Sequence, residues 1–240
     1  MKFIIIGLPR SGTTILSNYI NSSDKAFCFL EPHWEYTQHQ TTNFFNDDKL
    51  KRLFFLKYRK NESLPLDSAI NRIEKRYEYT GFKETYRSDV YHTYDKNLPN
   101  SKLLQRYLDN NYILIPIVRD PLRIWDSFKR STPSKSSWAS NLNAFISCYC
   151  EFINLIGNST PVIYEHFTQN PKKELDLKTT LKLEVITKII DRKVKMGDAQ
   201  ANKSSRIKNS NQKTLATAEE ENIINRSQAF HLYQTISKTN

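Results

Sequence analysis

The sequence predicts an α/β layer fold around a parallel sheet, built as one domain over residues 1–240. Three observations carry that expectation. Apolar, β-branched runs at residues 3–6 and 112–118 lack polar alternation, the pattern of strands covered on both faces. Segments of helical period follow them, and Gly, Pro, Asn or Asp punctuates each change of period. The chain is long enough for one well-buried core, and neither an internal repeat nor an interdomain linker divides it.

The first strand covers residues 3–6 and stops at Gly7. From Thr13 the period turns helical, with Ile15, Leu16, Tyr19 and Ile20 on a common face, until Asn21-Ser22-Ser23-Asp24 ends it. Residues 26–30 form a second short apolar run, and the basic, aromatic stretches 47–59 and 66–77 are expected to be helices. A strand is expected at 81–86, then a helix at 99–108 leading into the strand at 112–118. That strand ends at Arg119-Asp120-Pro121, where Asp120 caps and Pro121 opens a helix running through Trp125 and Phe128. A long helix over 138–156, a short strand over 161–164 and mixed helix over 175–194 complete the pattern. Residues 197–213, nearly devoid of apolar side chains, read as a surface loop or a mobile ligand-covering one. No function is read from residues 208–240.

Lys and Arg outnumber Asp and Glu 36 to 25, a net charge of +11 that favours polyanionic partners without choosing among them. The basic residues are dispersed among acids with no nucleic-acid motif, so nucleic acid is not expected as a partner. The apolar run before Gly7 is too short for a signal-peptide core or a membrane span, so no stable membrane insertion is expected. Cys28, Cys148 and Cys150 form no CxxC pair and suggest reduced thiols in a cytoplasmic protein, with neither a disulfide framework nor a zinc site. Nothing indicates the oligomeric state.

Gly7-Leu8-Pro9-Arg10-Ser11-Gly12-Thr13-Thr14 lies between the first strand and the first helix, where backbone N–H groups and a helix N-terminus make an anion site. Its spacing is that of a phosphate loop, but Thr13 stands where a nucleoside triphosphatase has lysine. Arg10 returns a cation whose planar fork suits a tetrahedral oxyanion held without a metal. This favours sulfuryl over phosphoryl transfer. A second anion site is sought at the neighbouring sheet edge, where Arg119 at the strand exit and Ser127 in the following helix are the candidates.

Pro9-Arg10-Ser11-Gly12-Thr13-Thr14 after an N-terminal strand resembles the 5′-phosphosulfate loop of sulfotransferases that use 3′-phosphoadenylyl sulfate (PAPS). It is closest to the Arg-containing loop of the carbohydrate and tyrosylprotein types. The run from Ile117 through Arg119 to Ser127 resembles their 3′-phosphate motif. The resemblance implies a three-layer α/β fold around a central parallel sheet, P-loop nucleotide-kinase-like. It also implies PAPS as sulfuryl donor, 3′-phosphoadenosine 5′-phosphate (PAP) as product, and no metal. Pro9, Arg10, Ser11, Gly12, Thr13 and Thr14 would hold the 5′ end of the donor, and Arg119 and Ser127 its 3′-phosphate.

The mechanism also needs a base for the acceptor hydroxyl. Glu31 and His33 end the second apolar run and would emerge beside the loop. Phe29-Leu30-Glu31-Pro32-His33-Trp34 resembles the segment of carbohydrate 6-O-sulfotransferases that carries the base, which favours Glu31 and leaves His33 to bind acceptor. Lys83, in Gly81-Phe82-Lys83-Glu84-Thr85, is a weaker candidate for stabilising the leaving group, against the bland alternative of a solvated strand edge. Val162 to Phe167, with Asn170-Pro171, resembles a further family segment and supports membership only. Met196-Gly197-Asp198 with Arg206 resembles a late loop that closes over the nucleotide, although Ala199 and Gln200 depart from its pattern. The acceptor is expected to be a carbohydrate hydroxyl. The rivals are a Mg-ATP-dependent P-loop kinase of a small metabolite, a catalytically silent nucleotide-binding scaffold, and a basic nucleic-acid binder.

Overall fold

Four consecutive side chains, Phe3, Ile4, Ile5 and Ile6, have no exposed surface in the computed structural model, which describes residues 1–30, 74–86, 101–130, 141–183 and 214–238. Burial on both faces requires a central strand. Strand β1 (Lys2–Gly7) pairs with β3 (Tyr79–Thr85) on one side and β4 (Ile113–Val118) on the other. Strand β2 (Ala26–Leu30) lies outside β3, and the two-residue β5 (Val162–Ile163) outside β4. The order is β2-β3-β1-β4-β5 with every pair parallel. Each fully buried Ile or Phe contributes roughly 1.5–3 kcal/mol, so burial rather than local propensity anchors this strand.

The strand period of two sorts the sheet's side chains into two cores. Phe3 and Ile5 face α1 (Thr13–Ile20), α5 (Tyr164–Gln169) and α6 (Pro171–Lys178) through Leu16, Tyr19, Ile20, Phe167 and Leu175. Ile4 and Ile6 share the opposite core with α2 (Ser101–Asp109), α3 (Pro121–Arg130) and α4 (Leu142–Ile156). That second core also takes in Ile224 of α7 (Ala218–Asn225) and Ala229 of α8 (Gln228–Lys238). The result is the expected three-layer α/β architecture.

Several boundaries differ from expectation. Helix α4 begins at Leu142 rather than at 138, because Asn141, in extended backbone, caps it by accepting from the Ala144 amide at 3.1 Å. Tyr164 opens α5 instead of closing a strand. Helix α6 starts at Pro171, capped by Asn170, and stops at Lys178; of the mixed helix expected over 175–194, residues 179–183 are not helical and 184–194 lie outside the described residues. The helices predicted at 47–59 and, except for their last residues, 66–77 lie outside the described residues, as does the loop 197–213; residues 74–77 contain no helical element beyond Glu74.

Strand order puts the site where the rules of parallel sheets put ligands. The connection from β1 leaves toward β2, and that from β4 leaves toward β5 on the other side. The loop after β1 and the start of α3 therefore flank one crevice at the carboxyl ends of adjacent strands.

Candidate active site

The first loop is shaped by close approach. A Cβ on Gly7 would lie 2.4 Å from Ser11 Oγ and 2.7 Å from the Ile117 carbonyl oxygen, so only glycine lets the loop tuck between β1 and β4. Arg10 adopts φ 71, and Gly12, the residue before α1, has φ 101. A Cβ on Gly12 would meet the Tyr164 ring at 2.2 Å, so the edge of that ring packs against the loop. Gly12 offers no side-chain cap to α1, and the helix has no acidic residue in its first turn. Its first amides are thus left for an anion. Ser11 and Thr13 are buried, Pro9, Gly12 and Thr14 half-buried, and Arg10 exposed. Ser11 Oγ has no hydrogen-bond partner among the described residues.

The second segment folds onto this loop. Arg119 Nη1 donates to the Arg10 carbonyl at 2.9 Å, and Arg10 Nε donates to Ser127 Oγ at 3.0 Å. Arg10 therefore joins Arg119 and Ser127, its backbone holding one and its side chain the other. Sequence reasoning put Arg10 at the donor's 5′ end; here its guanidinium is turned toward Ser127. Asp120 caps α3 as expected, accepting from the amides of Leu122 at 2.8 Å and Arg123 at 3.4 Å.

Two residues without an assigned site role, Tyr164 and Glu165, complete this corner. The Arg119 guanidinium lies 4.3 Å from the centre of the Tyr164 ring, and its Nε is 3.9 Å from Glu165 Oε1. That distance makes an ion pair but not a hydrogen bond, and Arg119 Nε has no hydrogen-bond partner among the described residues. Burial pushes the Glu165 carboxyl above its ordinary pKa, against the lowering effects of hydrogen bonding and Arg119. Asp120 is raised in the same way, by burial first.

Lys83 and Glu84 are not on a solvated strand edge. Strand β3 sits between β2 and β1, and the two side chains are 2 % and 0 % exposed. Charged side chains are almost never so buried unless paired, so this is a built polar feature within the sheet. Their neighbour Cys28 has its thiol pKa raised by burial and by Glu84, with Lys83 opposing. Glu31, His33, Gly197 and Arg206 lie outside the described residues. Among the described residues, no group of three or more His, Cys, Asp and Glu side chains is arranged to hold a metal, and no helix is long and apolar enough to cross a membrane.

The strand–loop–helix and its partner segment both fall within a match to a known family. A family model described as the Sulfotransferase family matches residues 3–177. The chain belongs to the sulfotransferase family. The match spans about three-quarters of the chain and includes both segments joined at Arg10. A search of the curated proteins finds no match to this sulfotransferase. Family membership makes it a transferase of sulfuryl groups. Helices α7 and α8 lie beyond the matched residues, yet α8 reaches the same corner of the site. Tyr164 and Glu165 were recognisable in the sequence as a family segment, but their contact with Arg119 was not. Tyr233 of α8, which donates to Glu165 Oε2 at 3.0 Å, had no sequence signal at all.

Proposed function

We propose that this sulfotransferase takes its sulfuryl group from PAPS and transfers it to a hydroxyl of a carbohydrate. One observation carries the donor assignment. Arg10 meets Arg119 and Ser127, each more than 100 positions further along the chain, at one crevice beside the uncapped N-terminus of α1. A donor with charge at its 5′-phosphosulfate and at its 3′-phosphate matches two adjacent cationic sites, whereas adenosine 5′-phosphate engages only one. Thr13 in the usual lysine position weighs against a Mg-ATP kinase.

In this reading the Ser11–Thr14 amides stabilise charge on the transferring sulfonate, Arg10 turns to it from Ser127 when the donor binds, and Pro9 shapes the turn. Arg119 and Ser127 hold the 3′-phosphate, and Gly197 and Arg206 belong to a segment that covers the nucleotide. The acceptor hydroxyl forms the new O–S bond as Glu31 takes its proton. The S–O bond to the 5′-phosphate breaks, and its electron pair leaves with PAP. Lys83 lowers the charge of that leaving group, and His33 contacts the acceptor. The carbohydrate assignment rests on the resemblance of the segments carrying Arg10 and Glu31. No metal takes part in these steps. A cytoplasmic setting belongs to the same reading, supported by free thiols at Cys28, Cys148 and Cys150.

Calorimetric titration with PAP, adenosine 5′-phosphate and Mg-ATP tests the donor. PAP should bind most tightly, and Arg119→Ala should weaken it by about ten- to a hundredfold, the range for hydrogen bonds to a charged group. Equal affinity for the three nucleotides, or preference for Mg-ATP, would remove PAPS as donor.

A further inference from the structure

The Arg119 guanidinium has a supporting shell that reaches beyond the family-matched residues. Glu165 Oε1 accepts from the Asp120 amide at 3.3 Å and faces Arg119 Nε at 3.9 Å. The other oxygen, Oε2, accepts from the Tyr233 hydroxyl at 3.0 Å. Tyr149 OH donates to the Arg119 carbonyl at 2.9 Å, which fixes the backbone but not the side chain. The Arg119–Glu165 contact is too long to be directional, so the orientation of the carboxylate must come from whatever else holds it. Beside the residue's own amide, the groups from other residues that hold it are the Asp120 amide on one oxygen and the Tyr233 hydroxyl on the other.

We propose that Tyr233 is a positioning residue for nucleotide binding, orienting Glu165 so that Arg119 presents its guanidinium to the 3′-phosphate. The inference rests on the donor reading above. Without the hydroxyl Oε2 loses its side-chain partner, the carboxylate is held from the backbone alone, and its position relative to Arg119 is no longer set. A carboxylate that closes on the guanidinium competes with the phosphate, and one that swings away leaves the fork unoriented. Either displacement lowers affinity for the 3′-phosphate and leaves contacts with the rest of the nucleotide alone. Helix α8 thereby becomes part of the nucleotide site, although it follows the family-matched residues by 50 positions.

The test is calorimetric titration of the full chain with PAP and with adenosine 5′-phosphate, for the parent, Tyr233→Phe, Glu165→Gln and the double variant. Tyr233→Phe should weaken PAP about three- to tenfold, less than the full worth of a hydrogen bond to a charged group because the effect reaches the phosphate only through Arg119, and leave adenosine 5′-phosphate within about twofold. In the Glu165→Gln background the same change should have little further effect, because the two act through one carboxylate. Equal losses for both nucleotides, additive losses, or an unchanged PAP affinity would each overturn the role of Tyr233 while leaving the donor reading intact. A parent with no preference for the 3′-phosphate would overturn both. If Tyr233→Phe does not fold, Glu165→Gln alone decides, since PAP-selective weakening is required of it too.

Discussion

Replacing Asp126 with Ala should detach the C-terminal helices and weaken nucleotide binding from a distance. Asp126 is 5 % exposed and immediately precedes Ser127 in α3. Its Oδ1 accepts from the Leu215 amide and from Thr214 Oγ1 at 3.1 Å, and its Oδ2 accepts from Arg130 Nε at 3.0 Å and Nη2 at 2.8 Å. Arg130 is exposed enough to be resolvated, so its share of the loss is small. The two bonds to residues 214 and 215 are the ones water cannot easily replace. At roughly 1.5–3 kcal/mol for a hydrogen bond to a charged group, and with partial relaxation, the expected loss is about 2–4 kcal/mol. The Lys129–Glu220 pair would then be the principal polar tie between α3 and α7. Denaturant unfolding of the full chain reads the loss, and amide hydrogen exchange locates it, with α7 and α8 exchanging faster than β1 and β4. Because Tyr233 travels with α8, PAP affinity should fall as well. A loss under about 1 kcal/mol with unchanged exchange in residues 214–238 would show that the Asp126 contacts do not hold the C-terminal helices.

Two further outcomes follow from the same geometry. Gly12→Ala places a methyl group against the Tyr164 ring at a backbone φ of 101, so it should push Tyr164 away from both the loop and Arg119. PAP affinity should drop at least tenfold, and the strained backbone alone should cost about 1–2 kcal/mol; parent-like affinity and melting temperature would refute the close packing. Acid should loosen the C-terminal helices. Burial raises the Asp126 pKa, but hydrogen bonds from Leu215, Arg130 and Thr214 outweigh it, and the net shift is downward, as it is for Glu220 with Lys129 and Thr217. A depressed folded-state pKa means stability that is complete above the unfolded value near 4 and lost as pH falls through the folded one. Asp120 and Glu165, both raised, act in the opposite sense and cost stability as pH rises through their folded values. The difference in unfolding free energy between the parent and Asp126→Ala isolates the first effect. It should shrink below pH 4, and a difference independent of pH would rule the carboxylate out.

The strands, the loop after β1 and the start of α3 were legible in the sequence because their determinants are local. Four adjacent apolar residues ending at Gly7 specify a buried strand and its exit, and Asp120-Pro121 specifies a capped helix start. Residues 7–14, Arg119 and Ser127 could also be read as anion-binding candidates, since residue type, order and spacing carry that information along the chain. What the tertiary structure alone decided is which of these groups touch. Lys83 and Glu84 look like a solvated pair until the strand order puts β3 between β2 and β1 and buries both. Arg10 meets Ser127 across 117 positions, and Glu165 meets Tyr233 across 68, through elements whose local patterns are silent about each other. The physical reason is that local sequence sets the period and capping of each element, while strand order and helix docking are fixed by the burial of whole faces against one another.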